Sequence, residues 1–208
     1  MIEQRTPEWF QQRLGHVTAS KMSDVLAKGT GVTRDKYKMQ LISERVTGQS
    51  EKSFSNEYME WGTEQEKFAL MRYEADTNCI VDAAEFYTHP TIKWLGASPD
   101  GLLMDEDGSI KGLIEIKCLK TENHLEFFLS ESPKIPAKYI VQMQCQMWVT
   151  GAEWCDFVSF DSRVTYEHRQ IFITRVKRDD KFIKEMEIDV VKFLAEVEET
   201  VQKLEKIK

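Results

Sequence analysis

Leu113-Ile114-Glu115-Ile116-Lys117-Cys118 is the stretch from which the fold can be read. Its apolar residues mark a buried strand, yet Glu115 and Lys117 lie two positions apart and so leave the same face. Charge taken out of water is costly unless it is paired or bound to metal, so a Glu and a Lys on one inward face require a chemical reason. Upstream, Ala97-Ser98-Pro99-Asp100-Gly101 makes a turn that starts another strand, and Asp105-Glu106-Asp107-Gly108 supplies hairpin-turn chemistry between the two. The hairpin brings Asp100 within reach of Glu115. An oxygen-rich arrangement of one or two carboxylates and several waters suits Mg2+, and the backbone carbonyl of Ile116 is a natural further ligand. Metal coordination lowers the pKa of a bound water, while a nearby Lys117 can orient that water or stabilise charge developing on a phosphate. This is phosphodiester hydrolysis chemistry. The competing reading is a plain Pro-Asp-Gly turn beside a cross-face Glu115–Lys117 ion pair, and Pro-Asp-Gly alone is a common turn signal.

Outward from this segment, the middle third reads as a meander of strands over Ile80 to Tyr87, Lys93 to Ala97, Leu102 to Met104 and Ser109 to Cys118. The first third reads as helical. Thr18 or Ser20 caps a helix to about Lys28, stopped by Gly29-Thr30-Gly31, and a second helix spans Thr33 to Thr47. A third, from about Asn56 to Asp76, has Tyr58, Trp61, Phe68 and Tyr73 at helical intervals, with Gly62, Glu66, Leu70 and Tyr73 along one edge. Glu66 thus sits beside an apolar stripe. After the meander come helices near 121–130 and 137–150, then strands near 154–160 and 170–176. A long final helix carries Phe182, Met186, Val190, Phe193, Val197, Val201 and Leu204 as an amphipathic stripe for a core or a subunit contact. No internal repeat or long linker interrupts the chain, so residues 1–208 read as a single α/β domain.

With 208 residues, 41% hydrophobic and 30% charged, the composition is that of a soluble globular protein with one sizeable core. No apolar run approaches a membrane span, and Met1-Ile2-Glu3-Gln4-Arg5 lacks the apolar stretch of a signal peptide, so a cytoplasmic location is expected and no membrane contact. Cys79, Cys118, Cys145 and Cys155 show no CxxC pairing, which suggests buried thiols rather than zinc or disulfides. A net charge of -7 argues against a nucleic-acid partner, but residues 21 to 52 carry seven basic side chains against four acidic, whereas 53 to 116 carry four against thirteen. Such polarity suits solvated helix faces, or a protein that grips phosphates with one segment, around Lys36 and Lys38, and holds metal ions with another. Trp9, Trp61 and Trp148 read as core aromatics, and none of the four histidines has ligand or triad spacing.

Pro99-Asp100 followed by Glu115-Ile116-Lys117 resembles the motif of the PD-(D/E)XK nuclease superfamily. Three further stretches narrow the resemblance to the phage lambda exonuclease-like group, also called the YqaJ viral recombinase family. They are Trp9-Phe10-Gln11-Gln12-Arg13-Leu14-Gly15 with Thr18-Ala19-Ser20, then Trp61-Gly62-Thr63-Glu64-Gln65-Glu66, and Gln142-Met143-Gln144-Cys145-Gln146-Met147-Trp148. The resemblance implies a restriction-endonuclease-like α/β fold with a mixed central β-sheet flanked by helices. It also implies a Mg2+-dependent 5′-to-3′ exonuclease that digests one strand of linear duplex DNA to 5′-mononucleotides and leaves a 3′ single-stranded overhang for recombination by strand annealing. Under it, Glu66, Asp100 and Glu115 bind metal with the Ile116 carbonyl, and Lys117 is the catalytic lysine. Arg13 and Ser20, with Thr18 close by, bind the 5′-phosphate, and Gln144 lies beside the active site. The choice among Gln142, Gln144 and Gln146 rests wholly on the resemblance. The expected cofactor is Mg2+, two ions per site, with Mn2+ as a substitute. The expected partners are double-stranded DNA ends, a single-strand annealing protein and two further copies in a homotrimeric ring; the expected setting is a bacterial cytoplasm, with a phage or prophage gene. The alternatives are a PD-(D/E)XK endonuclease with the same core and a non-catalytic DNA-binding adaptor.

Overall fold

Thr6 caps the first helix by accepting a hydrogen bond from the Trp9 amide, and Pro7, which needs no intrahelical donor, opens it. In the computed structural model, which describes residues 4–28, 32–50 and 57–207 (backbone only at 57–59), the elements run α1 (Pro7–Arg13), β1 (Val17–Thr18), a 3-10 turn (Ala19–Lys21), α2 (Met22–Val25), α3 (Val32–Thr47), α4 (Glu57–Thr77), β2 (Tyr87–Thr88), β3 (Leu95–Ala97), β4 (Gly101–Met104), β5 (Ile110–Lys117), α5 (Thr121–Leu129), α6 (Ala137–Thr150), β6 (Trp154–Phe160), a second 3-10 turn (Glu167–Arg169), β7 (Ile171–Lys177) and α7 (Asp180–Lys206).

The central sheet has the order β4-β5-β6-β7 and is mixed: β5 is antiparallel to β4 and parallel to β6, and β7 is antiparallel to β6. Alternation along β5 sorts its side chains between two cores. Leu113, with Cys155 and Phe157 of β6, packs on Met143 and Met147 of α6. Ile114 and Ile116, with Val158 and Phe160, pack on Ala69 and Tyr73 of α4. Glu115 shares the α6 face with Leu113. The parallel β5–β6 pair needs a long crossover, which α5 and α6 supply. α6 stops at Gly151, whose φ of 81° lets its amide reach back to the Met147 carbonyl.

A second sheet of order β1-β3-β2 lies against α6 and α7, where Val17, Leu95 and Ala97 share a core with Tyr37 and Leu41 of α3 and with Met186, Val190 and Phe193 of α7. The stripe read along α7 is therefore core from Met186 to Val197, while Leu204 is exposed.

The expected meander divides between these two sheets. β3 ends at Ala97, and Pro99, lacking an amide hydrogen, cannot continue a ladder, so β4 starts in the other sheet. The expected strand from Ile80 is regular only at Tyr87–Thr88; before it, Asp82 bridges Leu102 alone, and the Val81 amide donates to the Glu74 side chain. The helix expected from Thr18 or Ser20 is a 3-10 turn and the four-residue α2, and Thr18 makes no side-chain cap bond. On α4, Phe68 is exposed, and Ala69 with Tyr73 carries the buried face. Gly29-Thr30-Gly31, Asn56 and the Tyr58 side chain lie outside the described residues.

Candidate active site

Asp100 stands one residue before β4, at the point where Ile116 has no strand partner on that side. Its amide donates to the Ile114 carbonyl at 3.0 Å, and its Oδ2 accepts the Ile116 amide at 2.7 Å. The carboxylate thus occupies a vacated ladder position. The amide and carbonyl of one strand residue leave on the same side, so the Ile116 carbonyl is directed to the same edge.

Glu115 is 1% exposed and held from three directions. Oε1 accepts from the Lys117 ammonium and from Gln142 Nε2 at 2.6 Å, and Oε2 accepts from Gln146 Nε2 at 2.6 Å. Burial pushes the Asp100 carboxyl well above its usual range, and the nearby Glu115 charge adds to the shift. Burial works against the Lys117 ammonium, but the charges of Glu115 and Asp100 outweigh it and hold the group protonated beyond its ordinary range. Two other buried carboxylates are neutralised by arginines, Asp156 by Arg175 and Asp161 by Arg163. Asp100 has no ion pair among the described residues.

Gln144 points elsewhere. Its Nε2 donates to the Lys177 carbonyl and its Oε1 accepts the Asp179 amide, which ties α6 to the start of α7. The expectation that Gln144 lies beside the site is corrected to Gln142 and Gln146, and the helical period gives the reason. Residues four apart share a face, whereas a residue two away is turned through roughly 200°. That spacing was a usable signal in the sequence.

Glu66 projects from α4 toward the same edge, where both its oxygens accept from Arg5 Nη2 at 2.7 Å. Arg13 at the end of α1 is stacked 4.1 Å from the Trp9 ring centre and donates to the Ser98 hydroxyl at 2.9 Å. Burial lowers its pKa to about 10, and it has no ion pair among the described residues. The buried Trp9 Nε1 also lacks an acceptor among the described residues. Arg13, Ser20, Ser98, Glu66, Asp100, Glu115, Ile116 and Lys117 line one cavity of about 160 Å³, below the range of clefts for whole small ligands and suited to a phosphate group. Thr18 is set back in an adjoining cavity, 3.3 Å from the Ser20 hydroxyl. Ser98, Gln142, Gln146 and Arg5 complete the site beyond the residues read from the sequence; Ser98 stands inside the quoted turn, and Arg5 carries no motif.

Among the described residues no three acidic, histidine or cysteine side chains close into a cage. The donors that do meet are the oxygens of Asp100, Glu115 and the Ile116 carbonyl, and such a set fits a hard divalent cation that keeps several waters. The basic cluster around Lys36 and Lys38 is partly spent on structure: Lys38 pairs with Glu196 and Asp35, and Arg34 pairs with Glu196 of α7.

An acid at a strand-opening turn, a Glu-X-Lys strand beside it and a mixed sheet between helices define a PD-(D/E)XK-type nuclease core. The chain belongs to the YqaJ-like viral recombinase domain family, whose profile matches residues 8–153. It is similar to the alkaline exonuclease of Laribacter hongkongensis, solved also in complex with dAMP, at 46% identity and a TM-score of 0.87 over 97% of each chain. A phage-related exonuclease of Haemophilus somnus shares the fold at 16% identity and a TM-score of 0.70, covering 91% of this chain and 96% of that one. An uncharacterised protein of Acanthamoeba polyphaga mimivirus is 26% identical over 164 residues, 76% of this chain, and the chain spans 29% of that protein's length.

Proposed function

We propose that the protein is a Mg2+-dependent deoxyribonuclease that enters linear duplex DNA at a 5′ end, releases 5′-mononucleotides and leaves a 3′ overhang. One observation carries the reading: the half-buried Arg13, which has no ion pair among the described residues, opens with Ser20 and Ser98 into the same small cavity as Asp100, Glu115 and Lys117. A terminal phosphate on Arg13 would hold the strand so that the next phosphodiester lies at the acids. The likeness to an alkaline exonuclease, one structure of which holds the nucleotide dAMP, supports it.

Hydrolysis adds the oxygen of a water to phosphorus and breaks the P–O3′ bond; the 3′ oxygen leaves on the released nucleotide and takes a proton, and the chain keeps the phosphate as its new 5′ end. A divalent ion bound by Asp100, Glu115 and the Ile116 carbonyl would lower the pKa of that water and offset charge on the phosphate. Lys117, kept charged by its ion pair with Glu115, would orient the water and stabilise the pentacoordinate phosphorus. Gln142 and Gln146 keep Glu115 in one rotamer. Arg13 binds the terminal phosphate through its planar fork.

The same reading includes a homotrimeric ring around the duplex and cooperation with a single-strand annealing protein, both supported by family membership. A ring would let an acidic chain stay on DNA by topology where electrostatic grip is weak. No described helix is long and apolar enough to cross a membrane. The test is digestion, with Mg2+, of end-labelled linear duplex carrying 5′-phosphate or 5′-hydroxyl, beside a closed circle. Mononucleotides released from 5′-phosphorylated ends with the circle intact are expected. A cut circle would establish an endonuclease instead.

A further inference from the structure

Gln4 and Arg5 precede the stretch matched by the family profile and belong to none of the motifs. Gln4 Nε2 donates to the carbonyls of Ala84 at 3.1 Å and Pro99 at 2.7 Å, which pins this strap beside Asp100. Arg5 has φ of 68°, a left-handed conformation that side chains other than glycine's seldom adopt. Strain of this kind persists where surrounding structure enforces it, and it gathers at functional sites. The ion pair with Glu66 is a poor reason for it, since the two side chains are 44% and 30% exposed and such pairs contribute little. Nη2 makes both bonds to Glu66, so Nε and Nη1 have no acceptor among the described residues.

Arg5 also stands at a junction. With Glu66, Asp100 and Ile116 it lines both the cavity of about 160 Å³ and a second of about 500 Å³, which has room for a nucleoside. A strand whose terminal phosphate rests on Arg13 and whose next phosphodiester reaches Asp100 passes through this junction.

We infer that Arg5 is a further catalytic residue: when DNA enters, its guanidinium leaves Glu66 and donates from Nε and Nη1 to the non-bridging oxygens of the scissile phosphate. The inference rests on the nuclease reading above. The planar fork matches two phosphate oxygens, and their charge is the charge that needs support as the P–O3′ bond breaks. Release of Glu66 frees a carboxylate at the edge where the other acids lie.

Arg5→Gly removes the fork and relieves the positive φ, and Arg5→Lys keeps the charge without the fork. The experiment measures kcat and KM on 5′-phosphorylated linear duplex with Mg2+, Tm for each variant, and duplex affinity against salt with Ca2+ in place of Mg2+. Loss of one such donor is expected to lower kcat about 100-fold or more in both variants, with a much smaller rise in KM. The Gly variant should melt no lower than the parent, and its salt slope should be shallower by about one. Unchanged kcat in Arg5→Gly overturns the inference, as does full recovery by Lys or a loss that only follows Tm. A rise in kcat would show that Arg5 merely masks Glu66 and overturns it too. An inactive parent enzyme would instead overturn the nuclease reading.

Discussion

Replacing Gln146 with methionine, close in length and volume, takes one donor from Glu115 and leaves the α6 face filled. Oε1 keeps Lys117 and Gln142, whereas Oε2 loses its bond at 2.6 Å and has no other donor among the described residues. A hydrogen bond to a charged group contributes about 1.5–3 kcal/mol. Against this, the Gln146 side-chain oxygen is itself buried without a partner among the described residues. That defect costs about 1–3 kcal/mol and disappears with methionine. The two effects oppose each other at similar size, so the net change in stability should stay within about 2 kcal/mol, or about 4–8 °C in Tm for a chain of this length. The effect on catalysis has no such offset, because groups that orient a metal-binding carboxylate are worth about 10- to 100-fold in metal affinity or activity. The assay is a circular-dichroism melt paired with digestion of end-labelled duplex over a Mg2+ titration. A fall in kcat/KM of about that factor is expected, with a higher half-saturating Mg2+ concentration and a small Tm shift. Activity within about twofold of the parent would refute the orienting role of Gln146, because loss of a bond that orients a metal-binding carboxylate should exceed it.

Asp100→Asn can still accept the Ile116 amide, so it should abolish Mg2+-dependent hydrolysis with the fold intact, as should Lys117→Ala; full activity in either would remove them from the site. Burial and the Glu115 charge raise the Asp100 pKa in the folded state, so the folded protein binds this proton more tightly than the unfolded chain and loses stability as pH rises through the carboxylate range and beyond. In EDTA, Asp100→Asn should therefore melt above the parent at about pH 8 and level with it near pH 4, and a lower Tm at the alkaline end would contradict this. Glu196 is held down at about 2, chiefly by its bonds to Arg34 and then Lys38, so the stability it contributes is present above the ordinary carboxylate range and fades as pH falls toward that value. Melts of Glu196→Gln should fall short of the parent at neutral pH and converge with it in acid. Arg13→Ala should lose the preference for 5′-phosphorylated over 5′-hydroxyl ends, with Arg13→Lys a poor substitute because the stacked fork is gone; equal end preference in the parent would remove the basis for this.

Physical contradictions made the centre of the site legible. Glu115 and Lys117 on an apolar strand had to answer for buried charge, and the structure holds them together beneath Asp100. Periodicity also served well along α7, where one face dominates, and unbroken apolar runs marked β5 and β6, which are buried on both faces. It failed between Ile80 and Phe86, where a largely apolar run meets a single bridge and a glutamate side chain in place of a ladder, contacts that no local pattern encodes. Family resemblance misplaced the active-site glutamine by one helical face, although four-residue spacing alone pairs Gln142 with Gln146. Arg5 was invisible, because its place depends on Gln4 reaching carbonyls 80 and 95 residues away.

The carboxylate that closes the β5 edge has a consequence for the order in which this protein forms. Asp100 and Ile116 are separated by only 16 residues, whereas Glu115 waits 27 residues for Gln142 and 31 for Gln146. Short loops close at lower entropic cost and more quickly than long ones. The two central acids should therefore find each other in the β4–β5 hairpin while the chain is still emerging from the ribosome, before α6 exists to fix their orientation.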